Sequence, residues 1–355
     1  MLFLGDLADH DHHDTGAAHP ERAARLDAVR LGIADAVGTD GVVTVEPRLA
    51  TAAELARVHD PHYLWSLERL AEEGGGALDP DTPVSPGSWD TALLAAGTGL
   101  AVVDALDRRG DGVGFVAVRP PGHHARRAAG MGFCLLNNVA IAAADLVARD
   151  RRVLIVDWDV HHGNGTQEIF WDDPRVLYAS VHQAPAYPGT GRSDETGGPG
   201  APGTTCNVPL PPHATGELYR RAIDEVLADV AHAFAPDWVL ISAGFDAHRD
   251  DPLADHLLTA ADYAELAERV AALAPTSGRV AVFLEGGYDL GALRRSVQAT
   301  VGRLTGTDEP EGEAPSHGGP GAEVLGATRS ALLRARAGAG TERTGAATHE
   351  DPDHG

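Results

Sequence analysis

The chain has 355 residues, 43% of them apolar, with 28 basic against 52 acidic side chains and a formal net charge of −24. That length fits one large α/β domain or two ordinary ones, and the charge disfavours binding to phosphate backbones while drawing in cationic ligands. Lysine is absent, which removes it from the possible catalytic groups, and two cysteines, Cys134 and Cys206, are too few for a disulfide framework or a thiolate zinc site.

The opening "MLFLGDLADHDHHD" lacks a basic leader and a long apolar core, and the apolar stretches are strand-sized, well short of ~20 residues. The expectation is a soluble, unexported protein of a reducing cytoplasm, with neither membrane nor nucleic acid as a partner. His10, His12 and His13 read as surface polarity near the chain start.

Further along, nearly continuous apolar runs recur: "VGFVAV" (113–118), "RRVLIVDWD" (151–159), "RVLYASV" (175–181), "DWVLISAGFD" (237–246) and "RVAVFLEGGYD" (279–289). Such runs suit strands covered on both faces. Between them "LLNNVAIAAADLVARD", "ELYRRAIDEVLADVAHAFA" and "TAADYAELAERVAALA" carry helical spacing. The alternation predicts an α/β fold with a doubly wound, mostly parallel sheet, whose ligands bind beyond the carboxyl ends of the strands. From about Thr305 the sequence turns rich in Gly, Pro and acid, so residues 305–355 are expected to be a disordered, dispensable tail; "VLGATRSALLRAR" within it reads as a short helix, more readily transient than docked on the body.

The polar residues gather at the expected strand ends. In an extended chain alternate side chains share a side, so Asp157, Asp159 and His161 point one way while Trp158, Val160 and His162 point the other. A catalytic zinc site needs three N/O ligands and an open position. Asp159 and His161 offer two, and Asp246 in "SAGFDAH" can supply the third. "RPPGHHA" (119–125) puts His123 and His124 after a stiff turn, a sensible arrangement for proton carriers near pH 7. Asp157 and Asn164 are the available acceptors to orient them. "EGGY" (285–288) presents Tyr288 after two glycines, where its hydroxyl can stabilise an oxyanion.

Taken in order, "RPPGHHA", "GFCLLNN", "DWDVHHGNGTQ", "YPGTG", "SAGFDAHRDDPL" and "LEGGY" resemble the zinc-dependent histone deacetylase superfamily, in its class II and bacterial deacetylase-like branch, which also contains the acetylpolyamine amidohydrolases. The match runs from "TGAAHPERAARL" (15–26) to about residue 304, so a single catalytic domain is expected over 1–304. The resemblance implies an arginase-like α/β fold and one zinc per chain held by Asp159, His161 and Asp246. It makes His124 the main general base and acid and His123 its electrostatic neighbour, oriented by Asn164 and Asp157 respectively. Tyr288 becomes the tyrosine of the transition state. The walls of a narrow channel fall to Phe133 and Tyr187, with Gly132 and Leu253 beside them. A potassium ion is implied close by, on Asp157, Asp159, His161, Ser180 and Val181.

The expected reaction is hydrolysis of an N-acyl amide, with an acetyl-lysine protein or peptide as the favoured substrate. An acetylated polyamine or other small amide is the alternative, although Leu253 stands where an acidic gatekeeper for polyamines is expected. A catalytically silent acyl-lysine binder is a rival of another class, and it would have no reason to keep Tyr288 with the histidine pair. An arginase-like ureohydrolase with two manganese ions would need more Asp/His ligands. His162, His182 and His248 flank the site and read as structural or solvated, and "HPER" (19–22) as an anchor of the rim through arginine pairing.

Overall fold

Eight short strands pair side by side, all parallel, in the order β2-β1-β5-β10-β9-β6-β7-β8. Their ranges are β1 (Leu2–Asp6), β2 (Val42–Val45), β5 (Val113–Ala117), β6 (Val153–Asp157), β7 (Val176–Gln183), β8 (Thr205–Leu210), β9 (Trp238–Ala243) and β10 (Val280–Leu284); β3 (Gly76–Ala77) and β4 (Pro83–Val84) form a separate antiparallel pair. The structure is a computed structural model that describes residues 1–6, 12–38, 41–307 and 312–345. His10 lies outside the described residues.

Each expected strand is present, and the all-apolar runs hide a period of two. Leu154 and Val156 join Val239, Ile241, Val280 and Val282 in the core on one face, while Val153 and Ile155 join Trp238, Leu240, Ala281 and Phe283 on the other. The first face is covered by helices Ala24–Val37, Ala260–Ala271 and Leu290–Thr305, and the second by Ser88–Arg109 and Asn138–Ala148. Helices on both faces leave the central strands no wet side, hence no polar alternation. Besides the short β3–β4 pair, three strands of the main sheet were not foreseen. Two are β2, at one edge, and its neighbour β1; the third is β8 at the other edge, where Pro209 is tolerated because an edge strand can spare an amide.

Ser88–Arg109 is, by length and composition, able to cross a membrane, which the sequence reading did not anticipate. Here Leu100, Val103 and Leu106 are fully buried against the sheet.

The tail expected to be disordered is placed in part, with residues 308–311 and 346–355 outside the described residues. Residues 312–345 are placed, and a helix spans Ala322–Gly345 with Leu325, Ala331 and Leu332 buried. The hydroxyl of Thr328 donates to the carbonyl of Asn207 at 2.8 Å on β8. Ser316 donates to Asp262 from its backbone at 3.0 Å and from its hydroxyl at 2.6 Å. Composition suggested disorder because the segment cannot build a core of its own, but it needs none when the body supplies apolar surface and buried acceptors.

Topology sets up the site. The chain runs outward from β5 to β6, β7 and β8, and β9 and β10 then fill the gap between β6 and β5. Four neighbouring strands, β5, β10, β9 and β6, therefore end together, with Asp157 level with Ser242 and Leu284 level with Ala243.

Candidate active site

Asp157 ends β6, and the chain beyond it keeps alternating: Trp158 and Val160 sink into the core while Asp159 and His161 turn to the site. Asp246, three residues past β9, meets them. One ligand atom from each of Asp159, His161 and Asp246 lies within 4.8 Å of the others. Nδ1 of His161 sits 3.2 Å from Oδ1 of Asp159 and 3.1 Å from Oδ2 of Asp246. Burial opposes the charged imidazole, yet the two carboxylates outweigh it and carry His161 up to about 10. Two buried carboxylates facing one imidazole leave negative charge uncompensated, and an O,O,N donor set of this kind suits a divalent cation. Glycines make the room: a Cβ on Gly286 would lie 2.2 Å from Oδ2 of Asp246, and one on Gly244 2.0 Å from Oδ2 of Asp159.

The histidine pair follows β5 on the turn 119–125. Nδ1 of His123 is 3.0 Å from Oδ2 of Asp157, and Nδ1 of His124 is 2.8 Å from Oδ1 of Asn164, so each ring has the acceptor expected for it. The two environments drive the rings apart. Burial, reinforced by His123 and His161, holds His124 well below the usual histidine value. Burial also acts on His123, but Asp157, Asp159 and Glu285 overcome it and hold the ring protonated well above that value. The ring centroids are 4.0 Å apart, so two imidazoles with opposite proton preferences stand side by side, an arrangement that can serve as a base beside an electrostatic neighbour.

Glu285 was quoted in sequence but given no role. Its Oε2 accepts the backbone N–H groups of Gly122 at 2.7 Å and His123 at 3.1 Å, and its Oε1 accepts the hydroxyl of Ser242 at 3.0 Å. The side chain is 1% exposed, and burial lifts it to about 7. It ties the end of β10 to the histidine turn. Nothing local to "LEGGY" signals this, because both partners are more than forty residues away.

Tyr288 rides on a loop held from two sides. Asp251 accepts its N–H at 2.6 Å and that of Asp289 at 3.2 Å. Arg25 donates to the carbonyl of Gly287 at 2.7 Å and lies over the Tyr288 ring, 4.9 Å from its centroid. Arg25 is in turn 3.3 Å from Glu21, which also pairs with the buried Arg119 and lies 3.6 Å from Nε2 of His13. This is the rim anchor expected of "HPER". His13, expected at the surface, is 2% exposed and bonds Ser88 at 2.7 Å; His12 is exposed as expected.

His124, His161, Tyr288, Phe133, Tyr187, Gly132, Leu253 and Asp81 line one cavity of about 200 Å³. The Phe133 and Tyr288 rings meet edge-on at 5.8 Å, and Tyr187 stands edge-on to His124 at 5.1 Å. All four expected channel residues are therefore together. Asp81, on the loop between β3 and β4, is an addition to the expected set. Asp157, which ends β6, is the register partner of Ser180 within β7, and Val181 follows Ser180. The hydroxyl of Ser180 lies 2.9 Å from Nδ1 of His182. The flanking histidines are structural: His162 bonds Thr190 and Gln167, His182 also contacts the carbonyl of Gly191, and His248 meets Glu313.

A parallel eight-stranded sheet of this order, with Asp159, His161, Asp246 and the histidine pair gathered at its carboxyl edge, is the α/β fold of the deacetylase and arginase-like proteins. Residues 19–304 match the model of the histone deacetylase domain. The chain is 41% identical over 317 residues to a probable deacetylase of Archaeoglobus fulgidus, covering 85% of this chain and 87% of that one. It is 36% identical over 340 residues to histone deacetylase 14, chloroplastic, of Arabidopsis thaliana, covering 90% and 80%. The solved HDA15 HD domain superposes with a TM-score of 0.87 at 34% identity over 99% of both chains. The chain belongs to the histone deacetylase family.

Proposed function

We propose that the protein is a zinc-dependent hydrolase of N-acyl amides that removes acetyl groups from lysine side chains of proteins or peptides. The observation that carries this is the convergence, in one narrow cavity, of His124, Tyr288 and a ligand of the Asp159, His161 and Asp246 group. A zinc ion held by those three would polarise the acyl carbonyl and bring the pKa of water from ~15.7 to about 7. His124, held neutral with Nδ1 on Asn164, takes the proton of the attacking water. As the carbonyl carbon becomes tetrahedral, the Tyr288 hydroxyl donates to its oxygen. The C–N bond then breaks, the amine leaves with a proton returned by the histidine pair, and acetate remains. No covalent enzyme intermediate is required.

Potassium on Asp157, Asp159, His161, Ser180 and Val181 belongs to the same proposal, as does a reducing cytoplasm, in keeping with the two free buried thiols. Acetylated polyamines are the second reading, favoured by the −24 charge and by Asp81 at the cavity. Both readings are tested by measuring turnover of an acetyl-lysine peptide and of acetylated polyamines with zinc-loaded protein. A higher kcat/KM for the peptide is expected. Preference for the polyamine overturns the substrate, and turnover of neither overturns the enzyme in favour of a binder.

A further inference from the structure

Glu313 lies beyond the segment matched to the deacetylase domain, yet it is tied into the site-bearing loop after β9. Its Oε2 accepts from Nε2 of His248 at 3.1 Å and from the backbone N–H of Ala260 at 3.0 Å, and its Oε1 accepts from Arg249 at 2.5 Å. The roles are unambiguous. Nδ1 of His248 receives the N–H of Asp250 at 3.1 Å, so the ring proton is on Nε2 and points to Glu313. The side chain of His248 is fully buried.

His248, Asp250 and Glu313 bring possible metal-ligand atoms within 4.8 Å of one another, but arginines answer both carboxylates. Arg249 pairs with Glu313 and Arg295 with Asp250 at 2.7 Å. The cluster is thus charge-balanced by Arg249 and Arg295.

The turn it fixes runs directly to Tyr288. The N–H of Asp251 donates to the carbonyl of His248 at 2.9 Å, which closes the turn. The Asp251 carboxylate then takes the N–H of Leu253 at 3.1 Å on one oxygen and those of Tyr288 and Asp289 on the other. A displacement of the 248–251 turn therefore displaces both the Tyr288 backbone and Leu253 at the cavity.

From this chain of contacts we infer that Glu313 is a positioning residue for the reaction: the C-terminal segment clamps the 248–251 turn and so sets where the Tyr288 hydroxyl stands. The inference rests on the catalytic reading of Tyr288 given above. Positioning at this level is what separates kcat from binding, since a donor misplaced by about 1 Å can cost ~10²-fold in rate.

The test compares Glu313→Ala and Glu313→Gln, each alone and combined with Tyr288→Phe, in the full-length zinc-loaded protein. Glu313→Ala should lower kcat for an acetyl-lysine peptide roughly tenfold or more with KM little changed. Glu313→Gln keeps an oxygen for His248 and Ala260, gives up only the exposed Arg249, and should restore most of the rate. In the Tyr288→Phe background Glu313→Ala should have almost no further effect on kcat, because the hydroxyl it would misplace is already gone. A general loss of structure would instead lower kcat equally in both backgrounds, and that result overturns the inference. A readout free of activity separates it from the proposed function: in protein labelled with 3-fluorotyrosine, the ¹⁹F line that vanishes in Tyr288→Phe should shift in Glu313→Ala and return in Glu313→Gln. An unmoved line overturns the inference whether or not the parent turns over an amide. A moved line in a protein that hydrolyses no N-acyl amide leaves the clamp standing and removes the proposed function.

Discussion

Nδ1 of His124 lies 2.8 Å from Oδ1 of Asn164, while the same amide's Nδ2 donates to Sδ of Met131 at 3.5 Å. The amide is thereby fixed with its oxygen on the ring, and the ring presents Nε2, unprotonated, as its free nitrogen. Asn164→Ala leaves a neutral imidazole free to adopt the other tautomer. The expected result is a fall in kcat of roughly 10–100-fold at nearly constant KM, the usual cost of losing an orienting partner. Steady-state kinetics on an acetyl-lysine peptide checks this, and an unchanged kcat removes Asn164 from the mechanism.

The Asp159, His161 and Asp246 group makes a separate prediction about metal. Asp246 uses Oδ1 to hold the Val160 N–H at 2.9 Å and turns Oδ2 toward His161. Asp246→Asn keeps an acceptor for Val160 but removes the charge, so the fold should persist while bound zinc drops far below one per chain and turnover is lost. Elemental analysis beside far-UV circular dichroism is the check. Full zinc occupancy in the variant sinks the ligand assignment.

Glu21 and Arg119 form a buried bidentate pair, Nε to Oε1 at 2.8 Å and Nη2 to Oε2 at 2.6 Å. Burial alone would raise the carboxyl, but Arg119 outweighs it and holds Glu21 at about 2, against an ordinary 4.5. A depressed carboxyl stabilises the fold above its unfolded value and loses that contribution as pH falls toward the folded one. The window is therefore between about pH 4.5 and 2, and the contribution about 3 kcal/mol. Arg119→Met leaves the carboxylate with Arg25 at 3.3 Å as its main cation and should cost about 3–5 kcal/mol at pH 7. Denaturant midpoints across pH should show that difference narrowing below pH 4; a difference that does not depend on pH counts against the pair.

How far the site could be read from the chain depends on what carries each residue's role. Asp157, Asp159 and His161 were legible because strand alternation is local, and the same alternation continues past the end of β6. The histidine pair was legible from its stiff turn. Glu285, Asp251 and Glu313 were not. Each acts through backbone N–H groups or side chains that are distant in sequence, and an acidic residue beside glycine or within "RDDPL" has no periodicity to mark it. The described part of the tail, residues 312–345, departs from its expected disorder for a related reason. Its glycines and prolines describe a segment without a core, whereas its order comes from Asp262, Asn207 and the apolar surface they adjoin. The edge strands β2 and β8, and β1 next to β2, were missed because four to six residues bounded by polar chain carry too little pattern.

Tyr288 decides between an enzyme and a silent binder. Its ring is fixed by Arg25, by Phe133 edge-on at 5.8 Å and by the Asp251 clamp on its backbone, none of which touches the hydroxyl. Burial, against the opposing pull of Arg25, keeps the phenol well above its usual value, so it acts as a donor and never as a base at neutral pH. Tyr288→Phe therefore removes one hydrogen bond and leaves the wall of the cavity intact. Because that bond strengthens as charge develops on the carbonyl oxygen, kcat should fall by ~10²–10³, about 3–4 kcal/mol, with much less effect on substrate affinity. Zinc content should be unchanged, since the hydroxyl is not among the ligands, and a hydroxamate should still bind, more weakly if it accepts from the phenol. Turnover of an acetyl-lysine peptide by both forms, measured beside zinc content, is the experiment. Equal kcat in parent and variant excludes the hydroxyl from transition-state stabilisation, and a parent that binds the peptide with zinc in place but never cleaves it is a binder.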